Sequence, residues 1–415
     1  MANLLLRHRD IADLHKIDVY LKHGGYDGLK KALGMATGDV ISVVRDSGLR
    51  GRGGAGFPTG VKWGFIPKGE GEKYVIINTD ESETGTFKDR ELSEYNPHQV
   101  IEGAIIAAYA IGAKTIYNYF RGEFMDAGYA MEEAVQEAYK AGFLGKDIQG
   151  SGFDCHFYCH YGAGAYICGE ETALINSLQG ELGQPWSKPP FPAVEGLYSK
   201  PTVVNNTETL ANVPLILVNG SDWYKEMGTE QSSGVKIVCM SGHVEKPGNY
   251  EVVMGVTYRE LIEMAGGMKD GKKFKALLPS GGSGPVITES ALDAPMTYEG
   301  LTPHNSVMGS ASVIVMDEST DMVWAAMKMI HFFKHESCGK CTPCREGTFW
   351  MEQLLHRIYE GHGTMQDVET LESVANQISG RTLCALGEFA VNPVLSTIKH
   401  FPEEYRAKVK QAVAA

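Results

Sequence analysis

The sequence predicts an α/β domain with a largely parallel sheet, then a small α+β domain and a C-terminal helical bundle. Short β-branched runs alternate with longer apolar segments through the first half of the chain, which is typical of α/β layering. From Val235 onward the segments are short strands with one short helix. Beyond residue 318 apolar residues recur at helical spacing, and 415 residues are enough for several domains.

The first domain is predicted to cover residues 1–234. Its strands are expected where β-branched and aromatic residues cluster, and its helices where small and apolar residues form longer segments. Residues 180–205 are rich in proline and contain aromatic residues, so they predict a long binding loop. The individual predictions are mostly helix over 1–45, strands over 73–78 and 115–120, and helices over 98–112 and 126–141.

Two further domains are predicted, over residues 235–318 and 319–415. The first combines strands with one helix, and the second contains helices with an apolar face. The individual predictions are strands over 235–240 and 248–253, and helices over 258–265, 321–335, 348–360 and 367–378.

Charge and hydropathy exclude some classes of partner. The formal net charge is −13, and nucleic acid is not expected because phosphate binding needs a basic surface. The same charge disfavours direct docking onto anionic lipid. The most apolar stretch, residues 100–113, carries Glu102 and is too short to span a bilayer. The N-terminus lacks the apolar core of a secretory signal, so a cytoplasmic protein without direct membrane insertion is predicted.

Four of the eight cysteines predict a metal centre. Cys338, Cys341 and Cys344 are separated by two residues each, and Cys384 follows forty residues later. Disulfides are not expected in a large chain without an export signal. Three close thiolates and a distant fourth are typical of an iron–sulfur cluster, whereas zinc sites usually pair their cysteines two plus two. A zinc site and four buried free thiols are the alternatives. A predicted helix follows the triplet, and its dipole would stabilise an anionic cluster.

Residues 51–60, GRGGAGFPTG, form a glycine-rich segment. Glycines let the backbone approach a phosphate and direct several N–H groups at it. The spacing differs from the Rossmann fingerprint, so a plain glycine-rich loop is the alternative. Arg52 and Lys62 would add positive charge for a phosphate or a flavin carbonyl.

Polar residues follow the first predicted strand. Asn78, Asp80, Glu81 and Glu83 lie just beyond it, where ligands bind in open α/β sheets. Their acidic groups could hydrogen-bond ribose hydroxyls, and a solvated charged loop is the alternative.

A second glycine-rich turn, residues 161–169, leads into a predicted helix that begins with Glu170 and Glu171. Helix capping explains one of these acids, and two after a glycine-rich turn suit a dinucleotide site. Asn205 and Asn206 supply amides that can read a ring edge through paired donors and acceptors.

Together these motifs resemble one known family. The segments ESETGTFKDR (81–90), GEETALI (169–175), KPPFP (188–192) and ESCGKCTPCR (336–345) are similar to those of the NADH-binding F subunit of respiratory complex I, in the same order. The likeness covers nearly the whole chain. It implies a Rossmann-like FMN domain, a ubiquitin-like (soluble-ligand-binding β-grasp) middle domain, and a helical bundle carrying a 4Fe-4S cluster.

The resemblance also implies site residues. No protein residue is expected to be catalytic, because FMN carries the hydride transfer. The cluster ligands implied are Cys338, Cys341, Cys344 and Cys384. The NADH pocket implied is lined by Phe57, Phe65, Glu83, Glu171, Lys188 and Phe191. The FMN site implied is formed by Gly51, Arg52, Gly53, Gly54, Ala55, Gly56, Lys62, Asn78, Asp80, Glu81, Tyr166, Gly169, Glu170, Glu171, Val204, Asn205, Asn206 and Thr209.

The activity implied is oxidation of NADH by FMN and passage of single electrons through the 4Fe-4S cluster toward quinone. An acidic pocket would disfavour the 2′-phosphate of NADPH, and Glu81 or Glu83 is expected to tune nucleotide affinity. The partners implied are two other complex I components, the small 2Fe-2S ferredoxin-like E subunit and the large multi-cluster G subunit, at the inner face of the cell membrane.

Two alternatives and two departures accompany this resemblance. The alternatives are the diaphorase subunit of an NAD-linked hydrogenase or formate dehydrogenase, and a cluster- or zinc-bearing assembly scaffold without flavin. The diaphorases commonly carry extra cysteine modules, which this chain lacks. Trp186 stands where the family usually has arginine, and Thr84 stands where it commonly has proline.

Overall fold

The computed structural model describes residues 3–409. The chain divides into two compact units, each built from several segments. The first unit extends to Ser82 and includes Phe87–Val238 and Asn249–Gly255; the second comprises Glu83–Thr86, Cys239–Gly248 and the chain from Val256 onward. The domain boundaries predicted at residues 234 and 318 stay predictions.

The first unit is an α/β structure. Its four strands are β1 (Tyr74–Thr79), β2 (Thr115–Phe120), β3 (His156–Tyr161) and β4 (Thr202–Asn206). Its helices are α1 (Ile17–Lys22), α2 (Asp27–Leu33), α3 (Thr37–Asp46), α4 (Thr59–Gly64), α5 (Lys88–Tyr95), α6 (Pro97–Ile111), α7 (Met125–Lys140), α8 (Glu171–Leu178), α9 (Thr207–Asn219) and α10 (Ser221–Lys225).

All four strands of the first sheet are parallel, in the order β3-β2-β1-β4. Val75 and Ile77 of β1 are buried in the main hydrophobic core, and almost every residue of α6 is buried too. Helices α6 and α9 pack so closely that a side chain on Gly103 would lie 2.0 Å from the carbonyl oxygen of Leu210. Glycine at this position permits the close approach. The parallel arrangement brings the carboxyl ends of all four strands to one edge of the sheet.

A second sheet has the order β6-β5-β8-β7. Its strands are β5 (Val235–Gly242), β6 (Gly248–Val253), β7 (Phe274–Gly282) and β8 (Ser312–Asp317), and α11 (Tyr258–Met264) follows β6. Strand β5 pairs with β8 in parallel, with Cys239 opposite Ser312, and β7 pairs with β8 in antiparallel orientation.

The C-terminal part of the second unit is helical. Each of its longer helices buries an apolar stripe, for example Met351, Leu355 and Ile358 in the helix that begins within the cysteine triplet. The helices are α12 (Met322–Glu336), α13 (Thr342–Tyr359), α14 (Met365–Ile378), α15 (Leu386–His400) and α16 (Pro402–Lys408). Within residues 3–409, no helix combines the length and apolarity needed to cross a membrane.

The predicted fold class is confirmed, with differences in single elements. Strands β1, β2, β5 and β6 and helices α6, α7, α11, α12 and α14 lie within two residues of their predicted bounds. Strand β3 was not predicted, because its sequence HFYCHY shows neither a β-branched run nor a clear alternation. The other elements that were not predicted are strands β4, β7 and β8 and helices α4, α5, α9, α10, α15 and α16. Helix α13 begins at Thr342, six residues before its predicted start, because Pro343 fits the first helical turn.

Candidate functional site

The carboxyl edge of the parallel sheet is the natural place for a ligand in the first unit. The strand order reverses at β1, since β2 and β3 lie on one side of it and β4 on the other. Open α/β sheets bind ligands outside the strand ends at such a reversal. Asn78 at the end of β1 lies opposite Asn206 at the end of β4, so the structure brings two of the predicted residues together there.

The glycine-rich loop lies against this edge. Its base is closed by Gly51, whose N–H donates to the carbonyl oxygen of Phe57 at 2.9 Å. A side chain on Gly53 would lie 2.9 Å from Cβ of Asn206, so glycine allows the loop to meet the end of β4. Gly54 has a φ of +134°, which favours glycine. Gly53 and Ala55 are exposed, and their backbone is open to a ligand.

Neighbouring residues of the first unit hold Arg52 in this loop. Its side chain has no exposed surface, and its guanidinium donates to the carbonyl oxygen of Ser233 at 2.6 Å and to the hydroxyl of Tyr224 at 3.1 Å. Its backbone N–H donates to Oγ1 of Thr209, also fully buried, at 2.7 Å. A side chain without exposed surface cannot touch a ligand in this conformation. Arg52 therefore anchors the loop in this conformation, and its predicted place in the FMN site stays a prediction.

The second glycine-rich turn is tied directly to β1. The amide of Asn78 donates to the carbonyl oxygen of Gly169 at 2.8 Å, and its oxygen accepts from the N–H of Asp80 at 3.1 Å. The Asp80 carboxylate accepts from the hydroxyl of Ser82 at 2.6 Å. These bonds join two motifs that are about ninety residues apart in sequence.

The two glutamates after this turn have different roles. Glu170 is the N-cap of α8, and its carboxylate accepts from the backbone N–H groups of Thr172 at 2.8 Å and Ala173 at 3.0 Å. Glu170 thus satisfies N–H groups that a helix start leaves without partners. Of the two glutamates, Glu170 is therefore the one that helix capping explains.

Glu171 forms the centre of a charged cluster. One carboxylate oxygen lies 2.9 Å from Nζ of Lys62 and the other 2.6 Å from Nζ of Lys188. Burial alone would raise the pKa of Glu171, but Lys62 and Lys188 outweigh it and lower the pKa to about 2. Lys62 also donates to the carbonyl oxygen of Val204 in β4 at 2.9 Å. The cluster therefore joins α4, α8 and β4 at the sheet edge.

Three phenylalanines predicted to line the pocket are exposed. Phe57, Phe65 and Phe191 expose 47%, 57% and 57% of their surface. The rings of Phe57 and Phe65 have centroids 6.1 Å apart. Exposed aromatic faces beside a nucleotide site are available for stacking on a base.

Glu81 is held by the backbone of α5. One carboxylate oxygen accepts from the N–H groups of Lys88 at 2.9 Å and Asp89 at 2.8 Å, and the other accepts from that of Arg90 at 3.0 Å. Burial first, and then the Asp89 carboxylate, raise the pKa of Glu81 to about 7, against the lowering effect of Lys88 and the backbone N–H groups. The side chain therefore caps α5.

A buried network of charges, missed in the sequence, lies beneath the end of β4. Nζ of Lys88 is 2.9 Å from carboxylate oxygens of both Asp89 and Glu208, and Nζ of Lys236 is 2.6 Å from Glu208. All four side chains are at most 4% exposed. Asn206 donates to Asp89 at 2.7 Å, so the network orients this amide. Lys236 in the apolar run VKIVCM was the available signal, because a lysine is rarely buried without a partner.

Other predicted residues are fixed by their neighbours. The amide oxygen of Asn205 accepts from Nε1 of Trp63 at 2.8 Å, a contact that the sequence did not indicate. Tyr166 begins a short 3₁₀ turn that ends at Gly169 and leads into α8.

Glu83 belongs to the second unit. Its carboxylate lies 3.3 Å from the hydroxyl of Thr84, and Thr84 in turn accepts from the N–H of Gly282 at 2.7 Å. The residue that stands where the family commonly has proline therefore fastens the Glu83 segment to the end of β7.

The cysteine triplet lies at the start of α13. Cys341 is the N-cap, Cys344 lies in the first turn, and the hydroxyl of Ser337 is 3.2 Å from Sγ of Cys344. Burial, and after it the neighbouring Cys341 and Cys338, raise the pKa of the Cys344 thiol to about 11, against a lowering effect of Ser337.

The donor chemistry of this segment fits an iron–sulfur cluster. All eight cysteines are free thiols, and Cys384 lies between α14 and α15. Within residues 3–409, no three His, Cys, Asp or Glu side chains stand in a metal-binding arrangement. Ligation by the triplet and Cys384 therefore stays a prediction, supported by thiol chemistry and by the helix N-terminus at Cys341.

Three family profiles match the chain. The Nuo51 FMN-binding domain matches residues 44–215, which contain the glycine-rich loop and all four strands of the first sheet. The SLBB domain matches residues 237–288. The NADH-ubiquinone oxidoreductase-F iron-sulfur binding region matches residues 324–408, which contain the four cysteines.

Individual proteins are similar over nearly the whole chain. It is 52% identical to the NADH-quinone oxidoreductase F subunit of Streptomyces coelicolor, covering 99% of this chain and 91% of the relative. It is also 52% identical to the second NADH-quinone oxidoreductase F subunit of Rhizobium meliloti, covering 98% of each. A crystal structure of an NAD⁺-reducing [NiFe]-hydrogenase in the H₂-reduced state contains a similar chain, with a TM-score of 0.84 and 36% identity. That match covers 92% of this chain and 65% of the hydrogenase chain.

Proposed function

The chain belongs to the family of NADH-quinone oxidoreductase F subunits, and from this membership we propose which of its residues serve each step. It is an oxidoreductase subunit that oxidises NADH and carries FMN and a 4Fe-4S cluster. Bound FMN supplies the chemistry that takes two electrons from NADH and releases them singly to the cluster. The protein supplies binding, orientation and electrostatics.

The observation that carries the FMN assignment is the glycine-rich loop lying against the reversal point of a parallel sheet. Exposed backbone at Gly53 and Ala55 faces solvent beside Asn206, and backbone N–H groups are suitable donors for a phosphate. The other predicted FMN residues that lie at this edge are Asn78, Asp80 and Gly169. We assign Arg52 and Thr209 to holding the loop, since neither has exposed surface.

NADH binding is assigned to the cluster around Glu171 and to the exposed phenylalanines. Lys62 and Lys188 hold the Glu171 carboxylate ionised at neutral pH. The Glu171 carboxylate has lone pairs left to accept hydrogen bonds from the ribose hydroxyls of NADH. Glu170 and Glu171 also balance the charges of Lys62 and Lys188, so that the two lysines do not attract the 2′-phosphate of NADPH. We assign the preference for NADH over NADPH to this balance.

The cluster is assigned to Cys338, Cys341, Cys344 and Cys384. Family members share an iron–sulfur binding region over this segment. Thiolate ligands are supported by the free thiols, and the N-terminus of α13 favours a negatively charged group.

As an F subunit, the chain works together with other subunits of an NADH-quinone oxidoreductase. We propose that its direct partners are the small 2Fe-2S E subunit and the large multi-cluster G subunit. The complex would then place this chain on the inner face of the cell membrane. The diaphorase alternative is supported only by the hydrogenase structure, which shares 36% identity.

The activity is tested with the purified chain carrying its cofactors. Ferricyanide reduction is measured with NADH and with NADPH as donors. We expect saturable activity with NADH and much lower kcat/KM with NADPH. Equal kcat/KM for both donors would contradict the role of Glu171 in the pocket.

A further inference from the structure

The segment from Gln184 to Phe191 carries two residues of the proposed NADH pocket, Lys188 and Phe191. It has no helix or strand of its own. Its position therefore depends on side-chain bonds to its neighbours. Trp186, where the chain departs from the resembled family, lies in the middle of it.

Hydrogen bonds and ion pairs hold the segment to α8. The amide of Asn176 donates to the carbonyl oxygen of Gln184 at 2.7 Å. The backbone N–H of Trp186 donates to the hydroxyl of Thr172 at 3.1 Å. Nζ of Lys188 lies 2.6 Å from Glu171.

One further bond closes the segment on itself. The indole N–H of Trp186 donates to the carbonyl oxygen of Pro190 at 3.0 Å. The closed turn contains Lys188 and ends immediately before Phe191. Trp186 thus connects two places. Its backbone N–H is bonded to the first turn of α8, and its indole N–H is bonded to the far end of the segment.

We propose that Trp186 is a positioning residue for NADH, which holds Lys188 and Phe191 in place by closing the segment between α8 and Pro190. This inference rests on the proposed binding of NADH at Glu171 and Lys188. Trp186 itself need not touch the nucleotide. Because Lys188 and Phe191 bind NADH and do not take part in the electron transfer, losing their alignment weakens binding without slowing the chemical step.

The test uses Trp186→Phe in the full chain with its cofactors. Phenylalanine keeps an aromatic ring and removes the N–H donor. We expect the dissociation constant and the KM for NADH to rise about two- to tenfold, the effect of one lost hydrogen bond. Flavin content and kcat at saturating NADH should stay at the wild-type value. Trp324→Phe, the same change at an exposed tryptophan of α12, is the control and should leave KM unchanged.

A second pair of variants examines the other attachment of Trp186. Thr172→Val removes the hydroxyl that accepts from the Trp186 N–H, and Thr172→Ser keeps it. The valine variant should raise KM for NADH in the same way, and the serine variant should restore it.

Two outcomes would overturn the proposal. One is an unchanged KM in Trp186→Phe while wild type binds NADH; the proposed function would then stand without the positioning role. The other is loss of flavin or a lower kcat in that variant, which would show a general structural role. Absence of saturable NADH binding by the wild type would instead contradict the proposed function itself.

Discussion

Single residues of the proposed nucleotide site are defined by their partners more than by their chemical type. Glu81, Glu170 and Glu171 are all acidic and all lie near the sheet edge. Glu81 and Glu170 accept backbone N–H groups at helix starts, whereas Glu171 pairs with two lysines. We therefore assign the proposed contact with the nucleotide to Glu171.

Glu171→Gln should relax the discrimination between NADH and NADPH. The substitution removes the negative charge and leaves Lys62 and Lys188 without their shared partner. We expect the ratio of kcat/KM values for the two donors to fall roughly tenfold, since the unbalanced lysine charge would then attract the 2′-phosphate of NADPH. Steady-state kinetics with both donors measure it, and an unchanged ratio would show that the 2′-phosphate lies elsewhere.

The depressed pKa of Glu171 also predicts a pH dependence. A carboxylate whose folded pKa is about 2 contributes stability that is present above its unfolded pKa of about 4.5 and is lost as pH falls through 2. Glu171 therefore stays ionised from pH 5 to 9. Preference for NADH should be constant across that interval in kinetic pH profiles, and a loss of preference between these limits would contradict the assignment.

Thr84 offers a test of stability in the second unit. Thr84→Val removes the acceptor of the buried Gly282 N–H, and Thr84→Ser keeps it. The valine variant should lower the free energy of unfolding by about 1–3 kcal/mol, and serine by much less. Chemical denaturation of both variants measures the difference, and equal stability would show that water replaces the hydroxyl.

Among the helices and strands, the starts of α5, α8 and α13 were the easiest to connect with motifs in the sequence. Each start is next to a residue that the sequence had singled out, namely Glu81, Glu170 and Cys341. Glycine residues allow helices to pack closely, as Gly103 does where α6 contacts α9.

Burial of the Glu81 carboxyl group beside Asp89 predicts a pH-dependent stability of the first unit. The pKa of Glu81 is raised to about 7, so its protonated form is favoured in the folded state. The stabilisation that protonated Glu81 adds to the free energy of unfolding is fully present below pH 4.5 and is lost as pH rises through 7. The free energy of unfolding should therefore fall between pH 5 and 8, and less so in Glu81→Gln. Parallel pH profiles for the two proteins would contradict this.

Packing of α6 on α9 is tested by Gly103→Ala. The added carbon would lie 2.0 Å from the carbonyl oxygen of Leu210, so the helices must separate. We expect the free energy of unfolding to fall by about 1–3 kcal/mol or more, measured by thermal or chemical unfolding. Gly38→Ala is the matched control, because a side chain there meets nothing within 4 Å and α3 should be as stable or more stable.

For the molecule as a whole, the sequence was informative where chemistry requires particular residue types. The fold class, the cofactors and the NADH-oxidising activity are confirmed. The cysteine spacing indicated an iron–sulfur cluster without knowledge of the fold, because the geometry of the cluster restricts the spacings at which cysteines can bind it.

Features that depend on distant contacts could not be predicted. Strand β4 lies at the end of a proline-rich segment and is a strand because β1 pairs with it. The burial of Arg52 depends on Ser233 and Tyr224, which are more than 170 residues away. The network joining Lys88 to Glu208 and Lys236 has the same origin, since its members meet only after folding.

An anaerobic NADH titration of the purified chain, followed by flavin absorbance and by EPR, tests the central claim most directly. We expect NADH to bleach the flavin band and to produce the EPR signal of a reduced 4Fe-4S cluster in the same titration. Flavin bleaching without a cluster signal would contradict the four-cysteine centre as the electron acceptor. A flavin band that NADH does not bleach would contradict the nucleotide site at the sheet edge.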